Sequence, residues 1–165
     1  MFDAFMKIST IPGESTDEKH AEWIELQSLN WDLAQKAGSA GVSALGGQTG
    51  GRADFGDFQI VKLLDKASPK LALACASGEH IPEVIVELCK AGGDKQKYYE
   101  VKLADVVISS YQYGGTKTGN EPVPHEQIGM RYSKVGINYI QMDNKTGKAK
   151  GNVQTGWDLS KNQKV

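Results

Sequence analysis

P-E-V-I-V-E-L-C-K-A-G-G-D-K-Q-K-Y-Y-E-V-K-L, residues 82–103, decides the fold. Val84, Val86 and Leu88 share one parity, Glu83 and Glu87 the other. Period-two alternation marks a strand with one face buried and one wet. A-G-G-D at 91–94 is a turn, because adjacent glycines supply positive φ without steric cost. The alternation resumes over 97–113 with Tyr99, Val101 and Leu103. Two strands joined by a turn set a β reading that the rest of the chain follows.

Outward from this pair the same period recurs. Phe2, Ala4, Met6 and Ile8 alternate over 2–8, and Val135, Ile137 and Tyr139 lie within a strand expected over 127–142. F-G-D-F-Q-I-V-K-L-L at 55–64 reads as another strand, and a short final one is expected around 157–159. Residues 21–35 form the longest extended candidate, with Trp23, Leu29, Trp31 and Leu33 on one parity and Ser28, Asn30 and Asp32 on the other. Ile24 and Leu26 sit on the wrong parity, so a bulge or a change of packing partner is expected near Gln27. Loops are expected at 114–126 and 143–156, which are rich in Gly, Thr, Asn and Pro.

One segment departs from the β pattern. In S-P-K-L-A-L-A-C-A-S-G, 68–78, Ser68 suits an N-cap and Pro69 a first helical position. Leu71, Ala74 and Cys75 have helical spacing, and Gly78 stands where a C′ glycine ends a helix. A short α-helix over 69–77 follows.

Bulk properties exclude several classes. A chain of 165 residues is long enough for one domain with a real core. A net charge of −1 and a pI near 6.3 provide no basic footprint for nucleic acid. No run of 18 apolar residues predicts a membrane span, and the N-terminal M-F-D-A-F-M-K-I has no apolar stretch of signal-peptide length. Cys75 and Cys89, the only cysteines, read as two buried thiols rather than a bridge, as in a reducing cytosol.

The residues assemble no catalytic motif. Between Ala37 and Gly51 the chain is glycine-rich and uncharged. Gly46 and Gly51 have phosphate-loop spacing, but Arg52 and Ala53 follow where a lysine and a hydroxyl are required. His20, His80 and His125 have no helical metal spacing, and Cys75, His80 and Cys89 match no zinc pattern, so no metal and no cofactor is expected. Glu14, Asp17, Glu18 and Glu22 read as an exposed charged turn, and no G-x-S-x-G elbow is present. On residue chemistry alone this is a mostly β domain without a visible active site.

Four stretches, taken together, resemble the Hcp family, the haemolysin-coregulated proteins of type VI secretion tubes. They are I-P-G-E-S-T-D-E-K-H-A-E-W-I (11–24), L-L-D-K-A-S-P-K-L-A-L-A-C-A-S-G-E-H (63–80), L-C-K-A-G-G-D-K-Q-K-Y-Y (88–99) and T-G-W-D-L-S-K-N (155–162). Leu29 in L-N-W departs from the W-x-W that many members carry. The resemblance implies a single tube domain over 1–165, mainly β, with two packed sheets in a barrel-like sandwich, one flanking helix and an extended loop over about 37–53. It implies homohexameric rings stacked into a tube, sheathed by a contractile sleeve, tipped by a VgrG-type spike and carrying effector proteins. The expected location is the cytoplasm during assembly and outside the cell after firing, with neither nucleic acid nor membrane insertion involved.

The same resemblance places the extended loop against a neighbouring protomer or ring. Gly38, Gly41, Val42, Leu45, Gly46, Gly47, Gly50 and Gly51 are then its contact residues, since small uncharged residues allow close backbone approach. Ser28, Asn30 and Asp32 are the lumen candidates, with an ordinary outer solvent face as the alternative. A monomeric β-barrel module for a small ligand or carbohydrate is the competing function, and a hydrolase built on the acids near Glu14 is a third.

Overall fold

The computed structural model describes residues 1–37 and 50–165, with the side chains of Lys36 and Ala37 left aside. Its strands are β1 (Phe2–Ile8), β2 (Ile24–Leu26), β3 (Ser28–Asn30), β4 (Leu33–Ala37), β5 (Gly50–Phe55), β6 (Phe58–Leu63), β7 (His80–Lys90), β8 (Lys97–Gly114), β9 (His125–Arg131), β10 (Lys134–Met142), β11 (Ala149–Asp158) and β12 (Gln163–Lys164). One helix, α1 (Ser68–Ser77), lies between β6 and β7.

The 82–103 stretch forms the expected antiparallel pair, with Val84 opposite Leu103 and Val86 opposite Val101, and all four side chains are buried. β8 is long enough to serve two walls. Its first half lies between β7 and β10, and its second half pairs with β9. One wall runs β12-β11-β10-β8-β7-β1-β2; the other continues from β8 through β9 and β6 to β3. The result is a sandwich-like, barrel-like arrangement that is not closed, with β4 and β5 forming a separate two-stranded sheet.

The irregularity near Gln27 is a change of partner. β2 pairs with β1, β3 pairs with β6, and the Gln27 backbone N–H donates to Val61 O at 2.7 Å between them. Ile24 and Leu26 therefore face the core on one parity while Leu29 and Trp31 pack against it on the other. Met6, Val84, Leu103, Ile60, Ile128 and Met130 fill the space between the walls. Each fully buried apolar side chain contributes about 1.5–3 kcal/mol, against roughly 0–1 for an exposed ion pair, so this core carries most of the stability.

Helix α1 ends as expected, with Gly78 left-handed at φ 66° and its N–H bonded to Ala74 O. Its start differs. Ala67 is the N-cap residue, and Ser68 lies one position inside the helix. The turn before the helix is closed by Asp65, whose carboxylate accepts the Ala67 N–H at 2.9 Å, while Ser68 Oγ accepts the Asp65 N–H at 3.0 Å.

Several strand boundaries also differ. Strands expected over 55–64 and 127–142 are each interrupted, at Gly56 and Asp57 and at Tyr132 and Ser133. The loop expected over 143–156 is largely β11, which pairs with β10 from Ala149 to Asp158. Phe2 is 48% exposed, whereas Phe5, on the opposite parity from the expected apolar face of β1, is buried.

Candidate functional site

Two of the three lumen candidates, Ser28 and Asn30, fall on one sheet face. Asn30 lies opposite Gln59, Gln59 opposite Gly129, and Gly129 opposite Ser110. The next row is Ser28, Val61, Gln127 and Gln112. Side chains two apart on a strand share a face, so these rows form one surface of hydroxyls and side-chain amides around Val61, without a charge. A bulge between Ile108 and Ser110 leaves Ser109 unpaired, and its hydroxyl donates to Asp57 at 2.6 Å. A Cβ at Gly129 would meet Ser110 Oγ at 2.5 Å and Ser109 Oγ at 3.0 Å, so these hydroxyls lie close over the glycine.

Charge appears at the rim. Ser28, Asn30 and Asp32 help line a groove of about 340 Å³ with Asp57, Gln59 and Gln127. Asp32 lies beyond β3, where its carboxylate sits on Gly56, and a Cβ on Gly56 would lie 2.7 Å from Asp32 Cγ. Arg131 Nε lies 3.7 Å from Asp57 across the same rim.

The β4–β5 pair, which flanks residues 38–49, has an aromatic root. Phe55 stacks on Trp157 at 6.4 Å between centroids and lies 6.5 Å from Trp31. Trp31 Nε1 donates to the Tyr132 hydroxyl at 2.5 Å, and that hydroxyl donates to Gly56 O at 2.9 Å. Arg52 adds a bond from Nη2 to Leu159 O at 2.9 Å. Of the predicted contact residues, Gly50 and Gly51 lie on β5; Gly38, Gly41, Val42, Leu45, Gly46 and Gly47 lie outside the described residues.

The acidic turn proves to be a clamp. His20 is buried, its Nδ1 2.7 Å from Asp17 and its Nε2 2.7 Å from Glu87. Phe5 stacks flat on the imidazole at 4.2 Å, and Trp23 meets it edge-on at 4.8 Å. Asp17, expected in a solvated turn, is therefore largely covered. Among the described residues, His20, Glu87 and Cys89 come closest to a metal-ligating set, rather than the Cys75, His80 and Cys89 weighed from sequence. Both imidazole nitrogens already face carboxylates, and Lys97 Nζ lies 3.2 Å from the second Glu87 oxygen. This geometry suits a hydrogen-bonded clamp, since a metal-bound nitrogen needs a free lone pair. Burial first, then the Glu87, Asp17 and Asp3 carboxylates, pushes the Cys89 thiol up to about 11, which keeps it in the unreactive form.

His80, Asp105 and Ser133 also meet, but not as a nucleophilic triad. His80 Nδ1 lies 2.8 Å from Asp105, and Ser133 Oγ donates to the same Asp105 at 2.7 Å. A nucleophilic serine must bond to the imidazole, not to the carboxylate behind it.

Comparisons with known proteins agree on one family. The family described as "Type VI secretion system effector, Hcp" matches residues 5–139. The chain belongs to the Hcp family. It is 33% identical over 161 residues to Protein hcp1 of Pseudomonas aeruginosa, covering 97% of this chain and 96% of that protein. It is 27% identical over 129 residues to the "Major exported protein" of the same organism, covering 74% and 72%. Among solved structures, a type six secretion system protein superposes with a TM-score of 0.91 at 34% identity over 100% of both chains. Hcp1 from Salmonella typhimurium superposes at 0.81 with 27% identity over 99% of both. No helix among the described residues is long and apolar enough to cross a membrane.

The Hcp-like motifs now have physical roles. In the G-E-S-T-D-E-K-H stretch, Gly13 permits a close backbone approach, and Asp17 and His20 make the clamp. In T-G-W-D, Trp157 stacks on Phe55 of β5, while Asp158 accepts from Ser160 Oγ at 2.6 Å and the Lys161 N–H at 3.1 Å. Sequence reasoning missed two buried charges, Lys62 and Glu126, both with no exposed surface. The signal was present: each occupies the parity of its apolar neighbours, Phe58 and Ile60 or Ile128 and Met130.

The clamp also predicts an acid response. The bond to His20 is the largest cause that lowers the Asp17 carboxyl from 3.8 to about 2, with Lys95, 3.0 Å away, adding to it. A depressed carboxylate contributes stability that is fully present above its unfolded value and is lost as pH falls through its folded value. The clamp's contribution should hold above pH 3.8 and vanish on acidification towards about 2. Asp17→Asn should destabilise the chain at pH 6 and flatten its loss of melting temperature between pH 4 and 2, by roughly the share this carboxylate contributes. An unchanged acid slope in that variant would refute the assignment.

Proposed function

We propose that this chain is the ring subunit of a type VI secretion tube. Six copies close head to tail, rings stack inside a contractile sheath behind a VgrG-type spike, and effector proteins ride in the lumen before the tube is expelled. The full-length match to Hcp relatives supports this reading. So does the four-strand face of Ser28, Asn30, Gln59, Ser110, Gln112 and Gln127, which we assign to the lumen with Asp32 at its rim. An uncharged hydrogen-bonding wall holds protein cargo weakly and lets it slide, where a strongly charged wall would bind one sign and repel the other.

The glycine-rich segment is assigned to the contact between copies. Its stem is fixed to the body by the Trp31, Phe55 and Trp157 cluster, so what extends from it starts from a defined place. Deleting 38–51 is expected to raise the concentration needed for ring formation at least tenfold, read by sedimentation, while circular dichroism keeps the parental β signal. A deletion variant that assembles like the parent would remove this role. Most of the interior between the walls is filled by core side chains, with a cavity of about 280 Å³ beside Leu29, Trp31, Leu88 and Tyr99.

A further inference from the structure

The outer part of the long wall has three features that no contact among the described residues explains. First, Tyr99, Tyr139 and Val153 form one row across β8, β10 and β11, on the same side as the buried Leu103 and Val135. Tyr139 is nevertheless 47% exposed and Val153 70%. The core-facing side of the sheet thus runs on beyond the wall that should cover it. Second, β12 pairs with β11 only at Trp157 and Asp158, and Val165 N–H reaches Gly156 O. The outer edge over 149–155 meets no strand among the described residues, and a long unpaired edge invites another chain. Third, 134–165 holds six lysines and two aspartates, and all six lysines are exposed.

The opposite end of the same wall has the opposite sign. β2 is its far strand, and 13–25 contains five acids and one lysine, with Glu14, Glu18, Glu22 and Glu25 exposed. Here the edge is occupied: the Gly13 N–H donates to Glu22 O, and Ser15 N–H to Trp23 O. One sheet therefore carries a basic, open, partly apolar end and an acidic, covered end.

We propose that the β10–β11 end is the acceptor half of the contact between neighbouring copies, and that the acidic 13–25 end of a second copy is its occupant. A ring requires two different patches that match each other, one on each side of the subunit. The charge polarity of this wall provides such a pair, with Val153 and Tyr139 as the apolar centre. The inference rests on the ring reading and adds to it which surfaces meet.

The test begins with the parent chain, since a parent that stays monomeric at all concentrations refutes the ring reading itself. With rings in hand, Lys148→Glu/Lys150→Glu and Glu18→Lys/Glu25→Lys are compared by sedimentation and negative-stain imaging, with monomer melting temperature as the fold control. Each double variant is expected to need at least tenfold more protein to form rings. Joining all four substitutions in one chain should restore most of the loss, because each contact again pairs opposite signs. Val153→Asp should weaken rings while leaving the monomer's melting temperature within a few degrees of the parent's. Added salt should weaken the parent's rings but strengthen neither double variant beyond it. Double variants that assemble like the parent, or a fourfold variant that recovers nothing, would overturn the pairing while leaving the ring reading intact. Parental assembly by Val153→Asp would also contradict it.

Discussion

Lys62→Met is expected to cost about 3–5 kcal/mol at neutral pH, seen as a lower urea midpoint. Lys62 and Glu126 have no exposed surface, and their charged ends are in contact. The network around them also includes Asp65, 2.9 Å from Lys62 Nζ, the Ser68 hydroxyl at 3.2 Å, and the Tyr111 hydroxyl donating to Glu126. Burial, then that carboxylate, raises the Tyr111 phenol, so it stays a donor at every working pH. Removing the ammonium strands a buried carboxylate against a phenol, with Asp65 nearby. Replacing both partners removes the two fully buried charges and leaves only Asp65, whose carboxylate keeps the Ala67 N–H, so Lys62→Met/Glu126→Leu should recover part of the loss. A single variant as stable as the parent would show that the pair has no structural role.

Gly13→Val should be the other severe change, by more than about 3 kcal/mol, with soluble yield falling accordingly. A Cβ at this position would lie 2.7 Å from both Ile24 N and Ile24 Cα and would also overlap Trp23 O. All three are backbone atoms, so no rotamer change relieves the clash. They belong to the strand start that Gly13 holds, through its N–H to Glu22 O at 2.8 Å. The clamp at His20 and the edge of β2 would move together. Thermal melting of Gly13→Ala and Gly13→Val checks this, and equal melting temperatures for parent and both variants would contradict it.

Alternation made the central hairpin legible because Val84, Val86, Val101 and Leu103 face one core while the opposite parity stays partly wet. An irregularity at Gln27 was legible for the same reason, since Ile24 and Leu26 break the parity. Parity alone left a bulge and a change of partner equally open, and the pairing of β2 with β1 and β3 with β6 decides between them. β11 was not legible. Its residues from Ala149 to Thr155 are exposed on both faces, so burial imposes no period on them. Their strand state comes from pairing with β10, a tertiary cause that composition does not carry. The clamp was half legible. The acids near Glu14 were visible as a cluster, but the ring of Phe5 and the Glu87 carboxylate that bury His20 come from strands distant in sequence. Ser28 and Asn30 were placed on one exposed face from parity alone, while Gln59, Gln112 and Gln127 joined them only through strand register.

Ring assembly is read from the solution mass of the purified chain, measured by light scattering after size exclusion and paired with negative-stain images. Particles of about six times 17.9 kDa are expected, seen as rings with an open centre and stacking into short tubes at high concentration. A monodisperse 17.9 kDa species without rings across the whole concentration range would contradict it.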